Sequence, residues 1–155
     1  MGAFREGMAV LESRALLQPL RKLTREGRPL LGICLGMQLL FEKSQEQGEH
    51  SGIGIFRGEV RRLVVPEPKF RLPHMGWADV MPTPSGIKIF GTTSRAFYFL
   101  HSYVAEPQNP SVIAATFDFG RPCTGAVLQE NILGVQFHPE KSGDAGLDLL
   151  KQFIS

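Results

Sequence analysis

The sequence predicts one α/β domain, and three features carry that expectation. Leu30-Leu31-Gly32-Ile33 is an apolar run of strand length, after which Met37, Leu40 and Phe41 recur at the i, i+3, i+4 spacing of a helix face. Helical stripes stand near both ends of the chain. The middle is instead rich in short extended runs broken by Gly and Pro. No internal repeat, low-complexity segment or linker divides residues 1–155.

In order, residues 8–23 read as the first helix, with Met8, Leu11, Ala15, Leu16, Leu20 and Leu23 on its stripe. Pro19 inside that stripe predicts a kink or restart. Gly27 and Pro29 end it. The strand at Leu30 and its helix follow, closed by the polar residues 44–48. Residues 59–65 have strand composition, and a further extended run leads from Trp77 to Val80. A turn at 82–86 separates it from FYFLHSYV, residues 97–104, read as one strand. Residues 112–117, 125–128 and 132–137 read as three more strands, the last two a pair across Gln129-Glu130-Asn131. Leu147, Leu150 and Phe153 mark a closing helix.

With 43% hydrophobic and 21% charged residues, the chain has the make-up of a soluble domain able to bury a core. A net charge of +2 gives no reason to expect a nucleic-acid or membrane partner. Two cysteines, Cys34 and Cys123, have neither disulfide nor zinc spacing, which fits a reducing cytosol. The longest apolar run is too short for a bilayer, and Met1 leads into Arg5, Glu6 and Gly7 without a secretory leader.

Cys34 sits in Gly32-Ile33-Cys34-Leu35-Gly36, the cysteine form of the G-x-S-x-G nucleophile elbow. A strand that becomes a helix within one residue forces a strained backbone there, so side chains at both glycine positions are expected to clash. Unpaired N–H groups at the helix start are expected to favour the thiolate. On the pentapeptide alone, a buried structural cysteine between two glycines explains the segment equally well. A thiolate nucleophile needs a base, and the base an orienting group. Of four histidines, only His138 has the right setting, in Phe137-His138-Pro139-Glu140 just beyond a hydrophobic strand. An extended backbone fixed by Pro139 puts His138 and Glu140 on one face, where the carboxylate can hold the imidazole tautomer.

GICLGMQLLFE together with QFHPEKS resembles the class I glutamine amidotransferases, the Cys-His-Glu glutaminases built on an open, mostly parallel sheet flanked by helices. The segments Gly2-Ala3-Phe4, Pro73-His74-Met75-Gly76-Trp77, Tyr98-Phe99-Leu100-His101-Ser102-Tyr103 and residues 137–142 narrow the resemblance to the glutaminase subunits of imidazole glycerol phosphate synthase. It covers essentially the whole chain. It implies that Cys34 attacks the glutamine side-chain amide, that His138 carries the proton, and that Glu140 orients His138. It also implies a glutamine pocket formed by Gly2, Leu35, Gln38, Ser102 and Tyr103, with the Leu35 N–H facing the oxyanion. The implied partner is a (β/α)₈-barrel cyclase in a heterodimer. On this resemblance, ammonia is expected to pass to it and attack a phosphoribulosyl ribonucleotide, giving imidazole glycerol phosphate and an aminoimidazole carboxamide ribonucleotide for histidine synthesis. His74, Met75, Trp77, Tyr98 and Lys141 match that subunit interface, although core packing is the commoner place for a single Trp. No cofactor or metal is implied.

Two departures from the family stand out. Its members open with strands and a helix before a Pro-Gly-Val-Gly-Ala-Phe turn, whereas Met1 stands at the valine position, so the domain is expected to lack its first strands. Phe119 replaces a tyrosine and is expected to remove one pocket hydroxyl. The alternative function is accordingly a binding-only remnant with no organised glutamine site. A stand-alone cysteine hydrolase is a third reading, for which His-Met-Gly-Trp has no evident use.

Overall fold

The structure is a computed structural model that describes residues 3–155. Two helices, α1 (Phe4–Ser13) and α2 (Leu17–Arg25), stand where one was expected. The break falls at 14–16, where Ala15 takes φ 54°, and not at Pro19. Pro19 is the third residue of α2, where a backbone N–H has no intrahelical acceptor to lose. Phe4 and Met8 bury one face of α1, and the Arg21 guanidinium fastens α2 by donating from Nε (3.2 Å) and Nη2 (2.8 Å) to the Ile53 carbonyl.

β1 (Leu30–Ile33) leads through Cys34 into α3 (Leu35–Leu39), a helix of 5 residues. It is shorter than its apolar spacing predicts, because Phe41 already belongs to β2 (Phe41–Ser44). Then come β3 (His50–Ser51), β4 (Phe56–Arg62), β5 (His74–Pro82), the short α4 (Ile87–Phe90) and β6 (Arg95–His101). The chain closes with β7 (Tyr103–Pro107), β8 (Ile113–Asp118), β9 (Pro122–Gln129), β10 (Ile132–Val135) and α5 (Gly143–Ile154). Residues 97–104, read as one strand, are therefore two. Ser102 separates β6 from β7, which belong to different sheets.

Among the described residues one sheet has the order β1-β10-β9-β8-β5-β6 and the other β3-β2-β4-β7. The α/β class stands, but the pairing is mixed, and the expected mostly parallel sheet is corrected on that point. Only β1–β10 and β2–β4 are parallel; the remaining pairs are antiparallel. The short connections explain it: Glu130 and Asn131 suffice to join β9 to β10 as a hairpin, whereas a parallel pair needs a long crossover. Alternation along β10 feeds both faces of the large sheet. Ile132 joins the core of Phe4, Met37, Phe41 and Phe56, while Leu133 and Val135 join that of Phe97, Phe99, Phe117 and Phe137.

His101 is buried in the second core, edge-on to Phe117, and its Nδ1 lies 2.8 Å from the Tyr103 carbonyl. A carbonyl only accepts, so Nδ1 carries the proton and donates. Burial holds this imidazole down at about 3. The unfolded chain takes up a proton near the ordinary value of 6.5 that the folded chain refuses until about 3. Stability tied to His101 is thus intact above 6.5 and lost as pH falls below it, by up to about 1.4 kcal/mol per pH unit. In His101→Gln, urea midpoints are expected to fall less steeply than in the wild type between about pH 6.5 and pH 5, above the main carboxylate titrations. Parallel slopes would remove His101 from the acid response.

Candidate active site

Cys34 is the hinge between β1 and α3, and its backbone stands at φ 50°, ψ −107°. A non-glycine residue there costs on the order of 1–3 kcal/mol and persists only where its surroundings fix it. They do: the Cys34 N–H donates to the Val135 carbonyl at 2.8 Å, extending the β1–β10 ladder, and the Cys34 carbonyl accepts from the Gln38 N–H at 3.2 Å. A Cβ on Gly32 would lie 2.8 Å from the backbone of Gly36 and Met37. At Gly36, contrary to the expectation that both glycines are required, a Cβ would meet nothing within 4 Å among the described residues.

The sulfur is half-buried between two groups. Its S–H faces the Leu100 carbonyl at 3.9 Å, and the Gln136 amide donates to it at 3.7 Å. Burial pushes the Cys34 thiol up, ahead of the opposing pull of the Leu35 N–H; Glu140 raises it further, while Gln136 and Lys141 lower it. The expected thiolate at the helix start is corrected accordingly, because one N–H on so short a helix does not outweigh desolvation. At rest the group is a thiol.

His138 follows β10 in an extended conformation, and Pro139 then opens a single 3₁₀ turn, Pro139–Lys141. The turn, rather than the extended backbone expected, brings Glu140 back onto the ring, with Nδ1 2.7 Å from Oε1. Since the carboxylate accepts, Nδ1 carries the proton and Nε2 is left as the basic atom. Nε2 is buried and has no hydrogen-bond partner among the described residues. The main chain of His138 is held to β6 twice. Its N–H donates to the Tyr98 carbonyl at 2.8 Å, while buried Ser142 donates to the His138 carbonyl at 2.6 Å and accepts the Tyr98 N–H at 3.0 Å.

Cys34, Leu35, Gln38, Ser102, Tyr103, His138 and Lys141 line one cavity of about 350 Å³, together with Glu46, Leu100 and His101. The structure thus collects the sequence-predicted pocket residues except Gly2, which lies outside the described residues. Gln38 is buried, not a surface glutamine. Its Nε2 donates to the Tyr103 carbonyl and to Gln136 Oε1, both at 3.1 Å, leaving its own Oε1 for a ligand. Sequence reasoning missed Gln136 and Glu46. Gln136 directly precedes the Phe-His-Pro-Glu run, a signal that was present but unused. Glu46 sits in a polar tract that reads as a loop; its Oε2 accepts the Phe4 N–H at 2.7 Å. Phe119 packs against Phe70 and His74 in the core and does not line the cavity, so it removes no pocket hydroxyl. Cys123 is buried in that core as well.

On β5 the alternation divides the expected interface residues. Met75 and Trp77 are 61% and 59% exposed, and Trp77 stands edge-on to Tyr98 of β6 at 6.1 Å, so Trp77 is not a core residue. His74 turns to the other face, half-buried and stacked on Phe99 and Phe117. Lys141 borders the cavity. No group of three or more metal-ligating side chains occurs among the described residues, and no helix there is long and apolar enough to cross a membrane.

Cys34, in a strained elbow, and His138, oriented by a carboxylate, thus line one cavity. The family described as Glutamine amidotransferase class-I matches residues 8–155, and the chain belongs to that family. Among its relatives, imidazole glycerol phosphate synthase subunit HisH of Nostoc sp. is 45% identical over 158 residues, covering 100% of this chain and 74% of that protein. The subunit HisH of Rhodopirellula baltica is 40% identical over 155 residues, covering 100% and 75%. That of Bacillus cereus is 44% identical over 154 residues, covering 99% and 72%. Solved structures share the fold at lower identity. A glutamine amidotransferase superposes with a TM-score of 0.69 at 20% identity, covering 95% of this chain and 72% of that one. A second, from Thermotoga maritima, gives 0.65 at 17%, covering 99% and 58%.

The two glycines of the elbow should therefore separate on substitution. Gly32→Ala is expected to lower the thermal midpoint by several degrees and disturb Cys34, whereas Gly36→Ala, in a helix, should shift it little. Equal losses in a melting experiment would contradict the geometry.

Proposed function

We propose that Cys34, His138 and Glu140 hydrolyse the side-chain amide of glutamine, and that the chain is the glutaminase subunit of an imidazole glycerol phosphate synthase. The observation that carries the chemistry is the orientation of His138: with Nδ1–H on Glu140, Nε2 is the acceptor beside the cavity that holds Cys34. Family membership and relatives at 40–45% identity support the particular role.

In this reading His138 Nε2 takes the Sγ proton as sulfur attacks the amide carbon, since the buried thiol does not ionise in advance. The Leu35 N–H, at the first turn of α3 where no helical acceptor competes, receives the developing oxyanion. The imidazolium returns its proton to the amide nitrogen and ammonia departs, leaving a γ-glutamyl thioester on Cys34. Water, deprotonated by His138, attacks the thioester carbon; the sulfur leaves and regains a proton, and glutamate is released. Gln38 Oε1 and the Glu46 carboxylate offer acceptors for the substrate's ammonium, and the backbone of Ser102 and Tyr103 flanks it. Because these groups meet in one cavity, an interaction-only remnant is the weaker reading.

The ammonia is consumed by a partner subunit, a (β/α)₈-barrel cyclase making imidazole glycerol phosphate. Met75, Trp77 and Tyr98 form its docking face, an apolar surface on the β5–β6 hairpin continuous with the cavity through Leu100, the register partner of Met75.

In the assembled synthase, Cys34→Ser should lower glutamine hydrolysis by at least about three orders of magnitude. Glu140→Gln should lower it by roughly a hundredfold or more, mainly in kcat. Turnover near wild type in Cys34→Ser would end the assignment. For the docking face, Trp77→Ala should weaken cyclase affinity about tenfold or more by calorimetry. Unchanged affinity, with an unchanged ratio of glutamate formed to cyclised product, would place the partner elsewhere.

A further inference from the structure

We infer that Gln136 is a positioning residue for the nucleophile: its carboxamide N–H, aimed by a chain of hydrogen bonds that begins at the Tyr103 carbonyl, donates to Cys34 Sγ and favours its conversion to thiolate. The inference rests on Cys34 being the nucleophile, but its test reads the sulfur itself.

Gln136 stands one residue beyond β10 and is 0% exposed. Its main chain is fixed, the N–H donating to the Gly125 carbonyl of β9 at 2.8 Å. A buried carboxamide has a donor end and an acceptor end, and the surroundings decide which faces the sulfur. The Tyr103 carbonyl, which can only accept, takes His101 Nδ1–H at 2.8 Å and therefore also faces the NH₂ of Gln38, at 3.1 Å. The second hydrogen of that NH₂ reaches Gln136 Oε1 at 3.1 Å. The Gln136 oxygen is thereby engaged on the side away from the cysteine, and Nε2 is left facing Sγ at 3.7 Å. Reversing either carboxamide would set like groups against each other in a buried place. The direction of the last donor is thus imposed by one main-chain carbonyl on β7.

A thiol accepts a hydrogen bond weakly and a thiolate strongly, so this contact strengthens as the proton leaves. It works against the burial that otherwise keeps the group protonated. The other titratable or charged groups facing Cys34 are His138, Glu140 and Lys141 from the turn after β10, Glu46 from the loop after β2, His101 from β6 and Tyr103 from β7.

The test is the rate of Cys34 alkylation by iodoacetamide from about pH 6 to about pH 10, without glutamine, in a Cys123→Ser background so that one thiol reports. Gln136→Met, which fills the space without a donor, should displace the rising limb of the profile by about one pH unit, slowing alkylation about tenfold at each pH where the thiol predominates. Gln136→Leu, smaller, neutral and likewise without a donor toward sulfur, should shift the profile in the same direction. It decides the matter should Gln136→Met lose the native circular dichroism spectrum. A merely structural role would leave the profile in place. Superimposable profiles in a folded variant overturn the inference, whereas hydrolysis surviving in Cys34→Ser would overturn the nucleophile and leave the alkylation shift standing.

Discussion

The bond on which the site depends is the one from the Cys34 N–H to the Val135 carbonyl. It is the last rung of the parallel β1–β10 pairing in the large sheet, and it is made by a residue whose backbone lies outside the regions that side chains favour. Without that rung β1 could run straight on, and the strain at Cys34 would relax. With it, the sulfur is held at the end of β1 while the chain runs on from β10 to Gln136 and His138. The strand that holds Cys34 in its strained conformation therefore also leads to His138, the proposed base. Gly32 permits this because α3 passes so close over it that no Cβ fits.

A second constraint follows from burial. The elbow places Cys34 where desolvation prevails over the helix N–H, so the resting group is a thiol. Such a site has to arrange proton transfer in place of a preformed anion. Glu140 fixes the His138 tautomer from a short turn, and Ser142 ties that turn to β6 through Tyr98. Tyr98 also stands beside Trp77 on the outer face of the same hairpin. The clamp on the base and the proposed docking face thus share one strand pair.

Much of this was legible in the sequence, and what was not had identifiable reasons. Cys34 and His138 could be read because their motifs fix local backbone shape, which neighbouring residues determine. The closing helix and the β9–β10 hairpin were legible for the same reason. The helix after the elbow was overextended because Phe41 keeps the helical spacing while its main chain pairs with Phe56 of β4, a contact 15 residues on. FYFLHSYV reads as one strand because nothing in its composition reveals that Ser102 hands the chain to another sheet. His74 was put beside Met75 and Trp77, though the period of two sends it inward. The parallel sheet was taken from the resemblance, while the short links in this chain make hairpins. Gln136 escaped notice because a glutamine beside a stronger motif carries no signal until Gln38 and Tyr103 are brought against it.

The central claim is that the sulfur of Cys34, activated by His138 in this cavity, becomes covalently acylated by glutamine. Acid quenching of the synthase during steady-state glutamine hydrolysis, followed by mass spectrometry of its peptides, tests that most directly. The account predicts a γ-glutamyl adduct on the Cys34 peptide that is absent from His138→Asn. Steady turnover with Cys34 unmodified, or an adduct on Cys123 instead, would contradict it.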